Sequence, residues 1–249
     1  MKLTILGSGT CVPSLKRSAP AYFLEADGRQ ILIDCGSGTV LQLEKLGRSY
    51  KDIDAVFITH PHPDHVAGVV PFVQALLATP MFAREKDLLF VGPNGFRDYY
   101  KSCVASIMGA PKTFSINIID IEDRLDYPPL SVIAAQTVHS ENSIAYRFEH
   151  NGRSLVITGD ADYDQGIIAL SENCGLLIAD CSFPGSMKSR GHMTPEECGL
   201  VAKKAGAAKL VLSHLHAIPS YPDSERINEC RVVFDGDVVL AEDLMEFNL

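Results

Sequence analysis

The stretch Thr59-His60-Pro61-His62-Pro63-Asp64-His65 sets three imidazoles and a carboxylate within six positions, on a segment stiffened by two prolines. It follows Ala55-Val56-Phe57-Ile58, an apolar run that reads as a short buried strand. Imidazole nitrogen and carboxylate oxygen suit zinc and other borderline divalent metals. Alternation sends His60 and His62 to one side and leaves Asp64 and His65 to face a second point a few ångströms away, which fits a two-metal centre. A solvated polar loop also collects such residues, but four ligand types at this spacing directly after a strand are hard to obtain by accident.

Upstream, Lys2–Leu6 reads as a strand running into Gly7-Ser8-Gly9-Thr10. Glycines there allow either a plain tight turn or a cradle of exposed amides, and Ser8 and Thr10 are candidate substrate contacts. Ala21–Ala26 and Gln30–Ile33 form a hairpin across Asp27-Gly28. Asp34 ends the second strand. It either caps the helix expected over Thr39–Leu46 or sits behind the metal loop and orients a ligand.

Downstream, Val66–Leu77 has helical spacing of apolar residues, with Gly68 permitting close packing. Leu88–Val91 is a strand, Phe96–Met108 a helix whose Tyr99 and Tyr100 are packing residues, Ser115–Ile121 a strand, and Arg124–Pro129 a polar connector. Ser131–Val138 is a strand ending in His139. Ser143–Glu149 and Arg153–Thr158 form a hairpin across Asn151-Gly152, with His150 solvated at the turn. The second of these strands runs into Gly159-Asp160-Ala161-Asp162, where Asp160 is placed like a carboxylate shared between two metals and Asp162 is the alternative. After a buried strand over Leu176–Asp180, His192 precedes a helix opened by Thr194, Pro195 and Glu197, a capping box, and closed near Gly206. Lys209–Leu212 is a strand ending in Ser213-His214-Leu215-His216. His214 is read as the inward ligand and His216 as a rim residue in reach of substrate. Val232–Leu249 is expected to add strands or cover the core.

One design therefore recurs: an apolar strand, then a ligand at its end. Forty-six per cent of the 249 residues are hydrophobic, ample for one core-bearing domain over 1–249, and no low-complexity linker divides it. A net charge of −9 argues against holding nucleic acid on a broad basic surface. Seven cysteines without CxxC spacing suggest neither a zinc ribbon nor a disulfide framework. With no signal peptide and no apolar run near twenty residues, a soluble cytoplasmic protein is the expectation, with no membrane contact.

The H-x-H-x-D-H loop resembles the signature of the metallo-β-lactamase superfamily, and the resemblance extends along the chain. Asp34, His60-x-His62-x-Asp64-His65, His139, Asp160 and His214 follow the order of that superfamily's five motifs. The subgroup most similar is ribonuclease Z and related zinc phosphodiesterases: Leu6-Gly7-Ser8-Gly9-Thr10 and Leu32-Ile33-Asp34-Cys35-Gly36-Ser37-Gly38-Thr39 resemble its first segments. His192-Met193-Thr194 is similar to its H-S-T loop. The resemblance implies an α/β fold, a four-layer αβ/βα sandwich of two mixed sheets flanked by helices. It also implies two zinc ions, with manganese or iron as substitutes. One would take His60, His62 and His139, the other Asp64, His65 and His214, with Asp160 bridging and Asp34 behind. A homodimer is common in the subgroup.

On this reading a hydroxide held between the metals attacks phosphorus in line. Asp64 orients or deprotonates the water, and His192, its ring held by Asp180, contacts the phosphoryl oxygen or protonates the leaving alkoxide. Two departures set RNA aside as the expected partner. A single hairpin separates His139 from Asp160, where ribonuclease Z carries its tRNA-clamping arm, and the subgroup's H-E-A-T stretch reads Ala179-Asp180-Cys181-Ser182. The expected function is a phosphodiesterase on small or cyclic phosphodiesters. The alternatives are tRNA 3′-processing of the ribonuclease Z type and a non-catalytic metal-holding accessory protein of cofactor biosynthesis.

Overall fold

The computed structural model describes residues 1–249. In chain order its strands are β1 (Lys2–Gly7), β2 (Ala21–Ala26), β3 (Arg29–Ile33), β4 (Ala55–Phe57), β5 (Leu88–Gly92), β6 (Ile116–Asp120) and β7 (Arg124–Tyr127). They continue with β8 (Leu130–Gln136), β9 (Ile144–His150), β10 (Arg153–Ile157), β11 (Leu176–Asp180), β12 (Lys209–Ser213), β13 (Asp237–Leu240) and β14 (Glu246–Asn248). They build two seven-stranded sheets, ordered β14-β1-β2-β3-β4-β5-β6 and β13-β12-β11-β10-β9-β8-β7. Each is mixed. Strands β14 to β3 pair antiparallel and β3 to β6 parallel, while β7 to β10 pair antiparallel and β10 to β13 parallel.

The layers follow from which faces are apolar. Leu24, Ile33, Phe57, Tyr146, Phe148, Ile157 and Val211 fill the space between the sheets. Phe23, Leu32, Val56 and Phe90 on the outer face of the first sheet meet Leu43, Phe72 and Val73 of its helices. Val156, Leu177, Leu210 and Leu212 meet Ile167, Val201 and Ala202 on the far side. The alternate residues of each central strand therefore enter different cores, so these strands read as continuous apolar runs. The result is the four-layer αβ/βα sandwich. No helix is long and apolar enough to cross a membrane.

Several elements differ from the expectation, each for a local reason. The helix expected over 66–77 is two, Pro63–Val66 and Val69–Ala78. They part at Gly68, whose N–H donates to Cys35 O at 2.8 Å, and a Cβ there would lie 2.3 Å from Gly36 O. Arg124–Pro129 is not merely a connector, because Arg124–Tyr127 pairs antiparallel with β8 as an edge strand whose outward residues face water. The 96–108 helix loosens into a wider turn over Lys101–Ala105. Two short helices, the largely apolar Gln165–Leu170 and the polar Asp223–Arg231, are too short or too polar for apolar periodicity to signal them. His150 is not solvated: its Nδ1 lies 3.0 Å from Pro129 O and its ring is buried. The chain's end straps both sheets, β13 closing the second and β14 the first.

The strands that matter for function all point their carboxyl ends at one edge. There Gly159 adopts a positive φ of 56°, and a Cβ on it would meet Thr59 at 2.7 Å. Only glycine combines that backbone with that approach. Ile144 N–H donates to Thr59 O at 3.0 Å, and the buried Tyr146 hydroxyl donates to Ile58 O at 2.9 Å. The two sheets are thus pinned together directly beneath the metal loop.

Candidate metal centre

Seven side chains converge where the strand ends meet. His60, His62, Asp64 and His65 come from the loop after β4, His139 from that after β8, Asp160 from that after β10 and His214 from that after β12. They form two groups. In the first, His60 Nε2 and His139 Nε2 each lie 3.0 Å from His62 Nδ1, and 3.7 and 3.6 Å from Asp160 Oδ2. In the second, His65 Nε2 and His214 Nε2 each lie 3.2 Å from Asp160 Oδ1, and 3.8 and 3.4 Å from Asp64 Oδ2. Asp160 offers one oxygen to each group.

Hydrogen bonds behind the ligands fix their tautomers. Asp34 accepts the Thr59 N–H at 2.8 Å and the Thr59 hydroxyl at 2.9 Å, and it lies 2.7 Å from His65 Nδ1. Asp34 thus contacts His65 and does not cap the following helix, which runs over Thr39–Lys45 from Gly38 without a side-chain cap. His60 Nδ1 faces the Thr59 hydroxyl at 3.1 Å, and His139 Nδ1 faces Gly191 O at 3.0 Å. His214 Nδ1 lies 2.8 Å from Ser182 Oγ, which donates to Asp180 Oδ1 at 2.6 Å. With each Nδ1–H donated outward, four Nε2 lone pairs face inward beside two carboxylates.

Facing one another at these distances, the lone pairs and carboxylates need protons on the imidazoles or a cation among them to offset their repulsion. His65 Nε2 and Asp160 Oδ1 are buried and lack any hydrogen-bond partner. Burial alone would lower His65 and His214, but Asp160, with Asp34 behind His65 and Asp64 beside His214, raises both above the ordinary imidazole value. Burial and neighbouring imidazoles push His60 the other way, far down. The field at the centre calls for positive charge that the histidines cannot all supply. Nitrogen and oxygen donors in two groups of this kind fit zinc.

Beside the second group stands His192. Its Nδ1 lies 2.8 Å from Asp180 Oδ2, 3.2 Å from Ser182 Oγ and 4.0 Å from Asp160 Oδ2. Burial lowers its pKa, and Asp180 more than offsets that, leaving it raised. The loop carrying it is clamped by Asp162, which accepts Gly191 N–H at 2.9 Å and Lys188 Nζ at 2.5 Å. Asp162 therefore holds the loop and stays away from the cation groups. His216 stacks on Phe183 at 4.5 Å and 18°, and its Nδ1 lies 3.3 Å from Thr10 Oγ1. Thr10 also lines a cleft of about 400 Å³ that ends at Asp64.

Ser8, in contrast, faces inward. It is fully buried, its hydroxyl donates to Asp243 at 2.8 Å and accepts from Arg17 at 2.8 Å, and it offers no face to a substrate. Its partner lies 235 positions away in sequence, so no local pattern announces the contact. Ser182 was missed for the opposite reason, a serine after a strand being too common to signal anything.

A family model described as a beta-lactamase superfamily domain matches residues 29–215. Ribonuclease Z of Haloarcula marismortui is 30% identical over 307 aligned positions, which take in 99% of this chain and 96% of the relative. The alignment is longer than the chain, so the relative carries segments absent here. The crystal structure of the metallo-beta-lactamase fold protein YhfI from Bacillus subtilis matches with a TM-score of 0.87 at 26% identity, covering 99% of this chain and 98% of that one. Human tRNase Z, short form, matches with a TM-score of 0.80 at 26% identity, covering 100% and 99%.

Proposed function

The chain belongs to the metallo-β-lactamase superfamily, and on that premise we propose that it is a two-zinc phosphodiesterase acting on small or cyclic phosphodiesters. The observation that carries the reading is Asp160, one oxygen turned to each histidine group, with the His192–Asp180 pair alongside. His60, His62 and His139 would hold one ion, Asp64, His65 and His214 the other, and Asp160 both. Zinc held there supplies Lewis acidity toward a phosphoryl oxygen and lowers the pKa of a coordinated water.

The protein's own groups do the rest. His192 gives its Nδ1–H to Asp180, which leaves Nε2 as the nitrogen free to meet a substrate. Carrying a second proton, that nitrogen donates to the leaving oxygen as the P–O bond breaks, and Asp180 stabilises the imidazolium before transfer. Asp64, at the edge of the second group, accepts from the attacking water and aligns it. Thr10 and His216 line the approach.

A small substrate is supported by what lies between His139 and Asp160. The chain spends that interval on the β9–β10 hairpin, turning at Asn151 and Gly152, both with positive φ. YhfI, close to this chain in length, is the better structural match of the two solved relatives described. Ribonuclease Z-type processing is the second reading, favoured by 30% identity along nearly the whole chain. Zinc-loaded protein is assayed on bis(p-nitrophenyl) phosphate, 2′,3′- and 3′,5′-cyclic nucleotides and a precursor tRNA. Turnover of the small diesters with an intact tRNA is the expected result. Cleavage of the tRNA at its 3′ side with idle small diesters establishes the second reading instead.

A further inference from the structure

The largest fully buried side chain in the molecule is that of an arginine, Arg226, with no exposed surface. It sits on the Asp223–Arg231 helix, otherwise polar, which lies outside the second sheet. A guanidinium removed from water is costly and is normally matched by a carboxylate. Arg226 is instead bonded to backbone. Its Nη1 donates to Cys181 O at 2.8 Å, with Ser182 O at 3.4 Å, and its Nη2 donates to His216 O at 2.7 Å. The Tyr221 ring packs 5.1 Å from its Cζ, and its Nε has no partner.

The segments it joins are the ones that leave β11 and β12. Those strands are parallel neighbours, registered through Asp180 and Ser213, and beyond that point the ladder stops. One last bond, Cys181 N–H to Ser213 O, precedes the divergence, and His214 then turns into the left-handed region with φ 56°. Past this point the two segments carry Ser182, which receives His214 Nδ1, and His216, stacked on Phe183. A rigid fork of donors spans such a gap where a single ammonium cannot.

We propose that Arg226 is a positioning residue for the second cation group: its fork replaces the missing ladder and holds Ser182 and His214 at the spacing that aims His214 Nε2 at the ion. The inference rests on the reading of His214 as a metal ligand, and it adds a residue that touches neither metal nor substrate.

The test uses the full chain and compares Arg226→Lys with the parent by zinc competition against a chromophoric chelator, thermal melting, and hydrogen exchange. R226K is expected to bind one zinc with parental affinity and the other about tenfold or more weakly, the range seen when a ligand loses its orienting partner. Exchange should rise at 181–183 and 214–217 while other segments keep their protection. Because a buried arginine change can prevent folding, Tyr221→Leu is measured alongside. It removes only the ring beneath the guanidinium and should weaken the same zinc about two- to threefold. Two zinc ions bound as tightly as in the parent, in R226K or, should that not fold, in Y221L, overturn the proposal. Equal weakening of both zinc ions also overturns it, because that marks general destabilisation. If instead the parent binds no zinc through His214, as shown by unchanged stoichiometry in His214→Ala, the metal reading itself fails and the role of Arg226 falls with it.

Discussion

Two residues separate metal binding from proton delivery. Asp160 is the one carboxylate shared by both cation groups, and one of its oxygens is buried without a hydrogen-bond partner. Asp160→Ala is expected to lose at least one metal equivalent, measured by elemental analysis of protein purified with zinc; full occupancy would remove its bridging role. His192 is different, because its Nδ1 is engaged by Asp180 at 2.8 Å and stands 4.0 Å from the nearer Asp160 oxygen. His192→Ala should keep the metal content and lower kcat by about a hundredfold or more, the usual worth of a placed general acid. Parental turnover in that variant would take His192 out of the mechanism. Asp34 belongs to a third kind. It touches only Thr59 and His65, yet Asp34→Ala should cost roughly ten- to a hundredfold in zinc affinity, since His65 would lose the bond that fixes its tautomer.

At the scale of elements, the readable parts were those whose signal is local. The metal loop, the Asn151-Gly152 turn and the Thr194–Glu197 capping box announce themselves within a few positions, and the structure contains each of the latter two as read. What could not be read depends on approach between distant segments. The break at Gly68 exists because Gly36 O sits where a side chain would go, and Ser8 is buried because Asp243 reaches it from the far end of the chain. Arg226 lies in a helix with almost no apolar periodicity, so nothing marked it as inward. Gly68→Ala tests the first of these. The added methyl has to displace backbone, so melting should fall by several degrees, roughly 1–3 kcal/mol for an overpacked site of this kind. Asp54 gives a test by pH. Asp54 stands just before β4, and although its burial acts in the opposite direction, bonds from Lys86, from Gln30 N–H and from Arg29 of β3 hold its carboxyl below the ordinary value. A depressed carboxylate stabilises the fold above the ordinary carboxylate pKa and loses that contribution as pH falls through its own lower value. The melting difference between parent and Asp54→Asn should therefore be full at pH 7 and shrink below about pH 4. A difference constant down to pH 2.5 would contradict the assignment.

For the whole molecule, the candidate metal centre sits at a joint. His60, His62, Asp64 and His65 hang from the first sheet, and His139, Asp160 and His214 from the second. Each group draws side chains from both, so ions bound there would fasten the two halves of the sandwich at the edge where seven polar side chains interrupt the apolar packing. Without ions, that edge holds inward lone pairs and carboxylates that repel one another. A ligand that binds only the folded state adds about 2.7 kcal/mol at a hundred times its dissociation constant. For a domain of this size one kcal/mol moves the melting point by about 2–4 °C. Chelation of a singly saturated site should thus lower melting by roughly 5–10 °C, and of both sites by more, with zinc restoring it. The rise should shrink by half or more in Asp160→Ala, which touches both groups, and be halved where only the His214 group is disabled, as in His214→Ala. Should the parent melt at the same temperature with and without chelator, the two sheets are not joined by metal and the centre is ornamental to the fold.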